Sequence, residues 1–454
     1  CSRRQMVRSL VSGSILLPGI IAQLLADELH GSDVLNPLAP KAPHFPGKAK
    51  RVIFLYLPGG VSHVDSFDPK PRLIADAGKP NSKSPNSRPY LPPFWTFKPR
   101  GNCGVEVSDL FPNIAECMDD ICLIRSMRGD HNDHFQATLG IHTGSVTVKR
   151  PSIGSWASYG LGTVNQNLPS FVVLAPQLPY AGSQVWSSDF LPGCHQGTRV
   201  LPGPEPIPNL NRLSPSAKIQ QRELSLLDRF NRKYQQKRSA DAALAARIKS
   251  FETAFGMQME MPSALDVSKE TDATLALYGL ERGSTKGFAW QCLVARRMAE
   301  RGVRFIELID VGSSNNWDAH GDMKTHGPLA RNVDKPIAGL LKDLKSRGML
   351  DDTLVVWTTE FGRTPFTDGP NGRSHQNAAY SSWLAGGGVK GGVAYGKSDD
   401  YGAKVVENEV HVHDFHATIL HLLGLNHEKL TFRHAGRDFR LTDVSGKVVK
   451  EILA

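Results

Sequence analysis

The chain of 454 residues is predicted to fold as an α/β protein with a doubly wound, mixed but mostly parallel sheet flanked by helices. Three strand-like runs, at 52–57, 303–309 and 353–357, have the character of strands buried on both faces, and polar residues follow each of them. Stretches with helical periodicity lie between successive runs, at 287–302 and 334–350. Because ligands of such sheets bind at the carboxyl ends of the strands, the polar residues there should meet at one edge.

The composition is that of a folded body, with 40% apolar and 21% charged residues. The formal charge of +9 is spread along the chain, and no aromatic-interleaved basic patch predicts nucleic-acid binding. A diffuse positive field instead favours anionic small molecules or polymers as partners.

The N-terminus has the pattern of a twin-arginine export signal, in which Arg3 and Arg4 precede a moderately apolar stretch. We therefore divide the chain into a signal segment at 1–30, a Pro-rich linker at 31–49 and a single domain at 50–454. This signal predicts passage through the twin-arginine export machinery to a periplasmic or extracellular location. If it is not cleaved, the segment would anchor the protein in the membrane, and a transmembrane or amphipathic helix is the alternative interpretation.

A helical insertion is predicted at about 215–260. Leu224, Leu227, Phe230 and Tyr234 recur there at helical spacing, so the segment should form one or two amphipathic helices. We expect these helices to pack on the body of the domain rather than to bind a partner.

Polar side chains that could bind a divalent metal follow the predicted strands. Two carboxylates and two histidines on one rim would form a metal site, for which zinc is favoured and calcium, magnesium or manganese are alternatives. Scattered surface residues are the competing interpretation. The predicted metal ligands are Asp318, His320, Glu360, His375, His63 and Asp65.

A histidine-rich segment at 129–156 should contain the start of a helix, where free backbone N–H groups attract anions. His131 and His134 are the candidate catalytic residues of this segment, and a histidine-rich helix cap is the alternative. With arginines nearby, the segment suits a phosphate or sulfate group. The predicted substrate-binding residues are Arg125, Arg128, His195 and Arg199.

Six motifs follow the twin-arginine start in a specific order along the chain. They are GGVSHVDSFDPKP, HTGSVTVKRPSIGSW, WDAHGD, TEFGRTP, RSHQNAAYSSWLAGGGVKGG and HDFHATILHLLGL. In this order they resemble the alkaline phosphatase and sulfatase superfamily, and within it the bacterial family called domain of unknown function 1501. The resemblance implies a three-layer, alkaline-phosphatase-like architecture and a metal-dependent hydrolase.

The resemblance also implies roles for particular residues. Asp318, His320 and His375 match the Asp and two His that hold one metal in the superfamily. Glu360 stands where relatives usually have the Asp of an Asp-His pair, and Phe361 replaces the His of that pair.

Two further positions depart from the superfamily pattern. The nucleophile position falls on His134, where relatives carry Ser, Thr or a formylglycine derived from Cys, so His134 could be a metal ligand, a phosphate-accepting nucleophile or a general acid. The strand-end Asp expected near LPGG is missing, and His63 and Asp65 could compensate from downstream.

Two functions follow as hypotheses. The first is an exported, metal-dependent hydrolase of phosphate or sulfate esters, in which His134 and His131 lie at the reacting centre and Arg363 offsets developing negative charge. The second is a catalytically altered member that binds anionic, sulfated or phosphorylated glycans without turnover. The altered nucleophile and second-metal positions favour the second hypothesis.

Overall fold

The computed structural model describes residues 36–81, 85–208, 210, 216–236, 238 and 241–454. The signal segment predicted at 1–30 lies outside these residues, as does part of the linker predicted at 31–49.

The strands of the described residues are numbered in chain order. They are β1 Arg51–Tyr56, β2 Phe97–Arg100, β3 Val105–Ser108, β4 Ile121–Arg128, β5 Phe171–Leu174, β6 Thr198–Val200, β7 Phe305–Ile309, β8 Thr353–Thr358, β9 Gly362–Asp368, β10 Gly372–Gln376, β11 Tyr380–Ala385, β12 Val393–Tyr395, β13 Lys397–Ser398, β14 Val405–Glu407, β15 Val410–His411, β16 Phe432–His434 and β17 Arg437–Phe439.

The α-helices of the described residues are numbered in the same way. They are α1 His63–Ser66, α2 Pro71–Ala75, α3 Pro112–Ala115, α4 His134–Thr143, α5 Ile153–Leu161, α6 Ala217–Gln236, α7 Ala242–Leu265, α8 Asp272–Tyr278, α9 Gly287–Glu300, α10 His326–Ser346 and α11 Val412–Leu422.

A nine-stranded sheet forms the centre of the fold. Its order is β12-β4-β11-β8-β1-β7-β5-β6, and β15 pairs with β4 as well. All its pairings are parallel except those of β11 with β4 and with β8, so β11 alone runs in the opposite direction. The sheet confirms the predicted class, a mixed and mostly parallel sheet flanked by helices.

Side chains of the central strand β1 alternate between two cores. Ile53 and Leu55 pack with α9 and α10 on one face, whereas Val52 and Phe54 pack with α5 and α11 on the other. Burial on both faces explains the near-continuous apolar sequence of the strand. The three strands predicted from sequence, β8, β1 and β7, are neighbours in the sheet, so the polar segments that follow them share one edge.

The predicted insertion forms α6 and α7, but α6 packs differently from expectation. Leu224 is half-buried, whereas Leu227, Phe230 and Tyr234 are exposed, because α6 turns its polar side towards the body. The cysteines of the described residues, from Cys103 onwards, are all free thiols. Within the described part of the chain, no helix has both the length and the hydrophobicity that a membrane span requires.

Candidate metal centre

The loop that follows β7 carries Asp318 and His320. Trp317 anchors this loop, since its side chain is fully buried and its indole Nε1 donates to Asp310 Oδ2 at 3.1 Å. The backbone N–H of Trp317 also donates to the carbonyl of Pro58, just after β1, at 3.2 Å. Asp318 is therefore held next to the carboxyl end of the central strand.

Three histidines converge on Asp318. His375 lies in β10, His134 begins α4, and His320 follows Asp318 by two residues. The Nε2 atoms of His320 and His375 lie 3.0 Å and 3.2 Å from Asp318 Oδ1. The Nε2 atom of His134 lies 3.2 Å from Asp318 Oδ2. We call these four side chains the Asp318 centre.

Hydrogen bonds behind two of these rings fix which nitrogen carries the proton. Nδ1 of His375 donates to the backbone carbonyl of Asn132 at 2.6 Å, and Nδ1 of His320 donates to Asp368 Oδ2 at 2.6 Å. When these two rings are neutral, each turns an unprotonated Nε2 inwards, and the two Nε2 atoms lie 2.9 Å apart. Facing lone pairs repel one another, and a cation bound by both atoms would remove that repulsion.

His134 is buried among aromatic rings. Its ring stacks on Tyr180 with centroids 4.1 Å apart and contacts Phe361 at 4.9 Å. Nδ1 bonds to Glu360 Oε1 at 2.8 Å, whereas the buried Nε2 makes no hydrogen bond to any described residue. Burial alone would lower the pKa of His134, but Asp318 and Glu360 raise it to about 9. A metal ion could replace this proton beside Asp318.

Glu360 lies behind His134, at the nitrogen that points away from Asp318. Oε1 also accepts from the backbone N–H of Gly59 at 2.7 Å, and Oε2 accepts from the hydroxyl of Tyr56 at 3.0 Å. Burial would raise the pKa of Glu360, but the bond and charge of His134 hold it below its usual range. Glu360 was predicted to bind a metal directly. In the structure, both of its carboxylate oxygens instead accept hydrogen bonds from protein groups.

Arg363 forms a buried ion pair with Asp318. Its side chain is fully buried, and one guanidinium nitrogen donates to Asp318 Oδ1 at 2.7 Å. The other donors reach backbone carbonyls, including that of Gly60 at 2.9 Å and that of Arg373 at 3.1 Å. Burial would raise the pKa of Asp318, but His134, His375 and Arg363 together hold it well below its usual range. Arg363 thus positions Asp318 and presents no exposed donor for a substrate.

Gly59 allows the loop after β1 to approach the loop that carries Asp318. Its φ of +113° lies in a region that L side chains rarely adopt. A Cβ built at this position would lie 2.6 Å from the backbone nitrogens of both Trp317 and Asp318. A side chain here would push the two loops apart.

We expect Gly59→Ala to weaken metal binding about 10- to 100-fold, because it displaces Asp318 from its neighbours. Gly78→Ala is the matched control, since Gly78 also has a positive φ (+76°) but its Cβ would contact nothing within 4 Å. Titration with zinc against a competing chelator measures the affinities. Equal affinities in the two variants would contradict the proposed close approach.

The donor set of the Asp318 centre fits a divalent metal. Ligand atoms of His134, Asp318 and His375 lie within 4.8 Å of one another, and Nε2 of His320 lies 3.0 Å from Asp318 Oδ1 and 2.9 Å from Nε2 of His375. Imidazoles with a carboxylate are ligands that suit zinc, whereas calcium and magnesium prefer oxygen ligands alone.

His63 and Asp65, also predicted as metal ligands, lie in α1 and bind protein groups. Nε2 of His63 bonds to the carbonyl of Gly402 at 2.8 Å, and Asp65 pairs with Arg373 at 2.8 Å. Both side chains are buried. Among the described residues, neither makes a hydrogen bond or ion pair with a member of the Asp318 centre.

His131 lies in the loop before α4, and its Nδ1 accepts from the backbone N–H of Asp133 at 3.0 Å. Together with Glu360 and His413, it lines a small cavity of about 10 Å³ beside α4. The structure therefore brings His131 near the support of His134 but gives it no bond to the Asp318 centre among the described residues.

The two arginines predicted to bind substrate lie on β4. Arg125 donates to the carbonyl of Phe67 at 2.8 Å, and burial lowers its pKa. Arg128 forms an ion pair with Glu409 at 3.0 Å. Among the described residues, neither guanidinium bonds to the Asp318 centre.

The other two predicted substrate contacts are also engaged elsewhere. His195 is buried and its Nδ1 bonds to the hydroxyl of Ser158 at 2.8 Å, while burial lowers its pKa to about 3. Arg199 donates to the carbonyl of Ala175 at 2.8 Å. Within the described part of the chain, neither side chain bonds to the Asp318 centre.

Three residues of the site were missed from sequence. Asp368 orients His320, Tyr56 bonds to Glu360, and Tyr180 covers the ring of His134. Tyr56 ends the central strand and so could have been selected by its position alone. Asp368 and Tyr180 lie on a hairpin and a loop where no periodic pattern marks them.

The family described as "Protein of unknown function (DUF1501)" matches residues 49–453 of the chain. No protein of curated function matches the chain significantly in sequence. Among solved structures, the chain is similar to the alkaline phosphatase from the Antarctic bacterium TAB5, with 10% identity, a TM-score of 0.35, and coverage of 84% of this chain and 99% of that chain.

Two other solved structures are similar at the same level. For the PsFucS1 sulfatase from Pseudoalteromonas sp., the identity is 12%, the TM-score is 0.34, and 88% of this chain and 72% of that chain are covered. For the lipoteichoic acid synthase LtaP from Listeria monocytogenes, the identity is 9%, the TM-score is 0.35, and 91% of this chain and 79% of that chain are covered. At these TM-scores the similarities establish neither a shared activity nor a shared site.

Proposed function

The chain belongs to the DUF1501 family, and from this premise we propose that it is a metal-dependent hydrolase of phosphate or sulfate esters. The observation that carries the proposal is the convergence of three histidine Nε2 atoms on the carboxylate of Asp318, each within 3.2 Å of one of its oxygens. The metal ligands we propose are Asp318, His134, His320 and His375, and zinc is the metal we favour.

A divalent ion in such a site supplies a Lewis acid that polarises an ester oxygen and promotes the ionisation of water. The protein holds the ligands in place. Asp368 and the carbonyl of Asn132 orient two of the rings, and Glu360 orients the third. Arg363 keeps Asp318 ionised and directed at the histidines.

The surroundings of His134 favour a metal ligand over a nucleophile. Its Nδ1 is bonded to Glu360, and its Nε2 faces Asp318 at 3.2 Å, so neither nitrogen is open to a substrate. We therefore propose that water, rather than a side chain at this position, attacks the ester. His131, in the loop before α4, is the residue we propose to exchange protons with the leaving group.

Anionic esters are the substrates we propose, because a bound divalent cation would supply the attraction that the buried arginines do not. Arg363 and Arg373 both donate hydrogen bonds to carboxylates and backbone carbonyls of the protein. Sulfated or phosphorylated glycans are one class of such esters. We further propose that the protein is exported, on the strength of the twin-arginine pattern at Arg3 and Arg4.

A second candidate function is the binding of anionic glycans without turnover. The specific observation in its favour is that His134 occupies the first position of α4, where a hydroxyl or thiol nucleophile would otherwise be expected. A metal at the Asp318 centre would then serve recognition alone.

Elemental analysis combined with an ester panel tests the proposal. We expect about one zinc per chain in the purified protein, and hydrolysis of at least one phosphate or sulfate ester, with both lost in His375→Ala. His63→Ala is a comparison outside the proposed ligands and should keep the metal. Bound metal with tight ester binding and no turnover would support the second function, and no metal after reloading would contradict both.

A further inference from the structure

The most unusual surface of the molecule is one side of α6. Five large apolar side chains on this helix are each between 44% and 63% exposed. Their spacing along the helix brings them onto one continuous side. These residues, which we call the apolar face of α6, are Ile219, Leu226, Leu227, Phe230 and Tyr234.

A different side of α6, about a third of a turn from the apolar face, packs against the body mostly through polar residues. The half-buried positions recur at intervals of three or four residues and are Gln220, Leu224, Asp228, Asn231 and Gln235. Gln220 Nε2 donates to Gln258 Oε1 of α7 at 2.8 Å. This arrangement is the reverse of an ordinary surface helix, which buries its apolar side and exposes its polar side. An apolar face held away from the core in this way is typical of a binding surface.

Positive charges border the apolar face on one side. Lys218, Arg222, Arg229 and Lys233 are all exposed, and within the described residues none of them forms an ion pair. On the helix surface these four positions adjoin the apolar face, and their long side chains can extend alongside the apolar residues. Glu223, four residues after Ile219 and four before Leu227, is an exposed acidic residue that lies within the apolar face itself.

We propose that α6 docks on an anionic lipid membrane, with its apolar face in the headgroup region and its lysines and arginines on lipid phosphates. A helix with a basic border and a Leu/Phe/Tyr face has the features of one that lies in the plane of a bilayer interface. Tyr234, over whose ring the guanidinium of Arg238 lies at 4.3 Å, has the combination of aromatic ring and polar group typical of that interface.

Charge favours this occupant over a second copy of the chain. Two copies joined through α6 would bring two rows of unpaired lysines and arginines together, whereas anionic phosphates complement them. The apolar side chains form the convex side of a helix rather than a groove, so a broad, deformable surface matches them. This inference is independent of the hydrolase proposal, because no residue of the Asp318 centre is involved.

Vesicle flotation with the full chain tests the inference. We expect binding to vesicles of phosphatidylcholine mixed with phosphatidylglycerol, weaker binding to phosphatidylcholine alone, and weakening at high salt. Leu226→Asn/Phe230→Asn should lower the affinity about tenfold or more, since each side chain loses its apolar burial. Arg222→Gln/Arg229→Gln should lower it selectively for the anionic vesicles.

Ile74→Asn/Val444→Asn is the control, because these apolar residues are 57% and 85% exposed but lie outside α6. It should bind as the unaltered chain does. All the chains carry the same N-terminal segment, so a loss confined to the α6 variants assigns the binding to α6. Unchanged binding in those variants, absence of vesicle binding, or a dimer that Phe230→Asn dissociates would each overturn the inference. Thermal unfolding of every variant confirms that the fold is retained.

Discussion

Replacing Asp318 with Asn is expected to remove the bound metal and to reduce ester hydrolysis about a thousandfold or more. All three histidine Nε2 atoms approach this carboxylate within 3.2 Å, and an amide lacks the charge that a divalent cation requires. The fold should survive, because the amide oxygen of Asn can still accept from Arg363, which donates to Oδ1 at 2.7 Å. Elemental analysis and steady-state hydrolysis measure the two effects.

Asp368→Asn provides a graded comparison for this prediction. Asp368 contacts the outer nitrogen of His320 at 2.6 Å, and among the described residues it makes no hydrogen bond or ion pair with the other three members of the Asp318 centre. We expect a loss of metal affinity of about 10- to 100-fold rather than complete loss, with activity restored by added zinc. Full metal content and activity in Asp318→Asn would refute the site, whereas equal losses in both variants would argue against the distinction between ligand and support.

Acidification from pH 6.5 is expected to destabilise the metal-free protein steeply. Burial lowers the pKa of His195, His326 and His416 to about 3, against a value near 6.5 in an unfolded chain. Each ring is neutral when folded and takes up a proton on unfolding, so the stability present above pH 6.5 is lost as the pH falls towards 3. Each of these histidines changes the free energy of unfolding by about 1.4 kcal/mol per pH unit in this range.

One buried carboxyl group works in the opposite direction. Burial raises the pKa of Asp310 to about 7, so this group releases a proton on unfolding in the same pH range. Among these four groups, three protons taken up and one released leave a net uptake of about two, which contributes about 3 kcal/mol per pH unit between pH 6 and 4.5. Urea unfolding in the presence of a chelator, at several pH values, measures this slope.

Single substitutions separate the proton uptake of the buried histidines from the proton release of Asp310. His416→Gln should make the slope shallower by about one proton, and Asp310→Asn should make it steeper by about one proton. His434→Gln, at an exposed position of β16, should leave it unchanged. A slope that does not respond to His416→Gln would show that this buried ring does not govern the acid sensitivity.

The amino-acid sequence by itself determined the sheet and the edge at which the candidate metal centre lies. Runs such as 52–57 and 353–357 are apolar along their whole length, and burial on both faces of a parallel sheet is the simplest structure that accommodates them. Asp318 and His320 follow one strand and Glu360 another, so their proximity could be predicted from local pattern alone.

Only the tertiary structure decided what each polar residue does there. Glu360 was expected to bind a metal, yet its oxygens accept from Gly59, Tyr56 and His134, all of which lie more than two hundred positions away in the chain. Asp368 could not be assigned from sequence either, because its role depends on the orientation of the His320 ring. The geometry of such contacts is set by packing of distant segments, which leaves no periodic signal.

The same reason explains why the packing of α6 was predicted wrongly. The spacing of Leu227, Phe230 and Tyr234 correctly indicated an amphipathic helix, because helical periodicity is local. Which side of that helix meets the body depends on partners such as Gln258, and the polar side has them. Sequence therefore determined the elements and the edge that carries the candidate site, whereas the long-range contacts determined which side chains meet there, what supports them and which side of α6 is exposed.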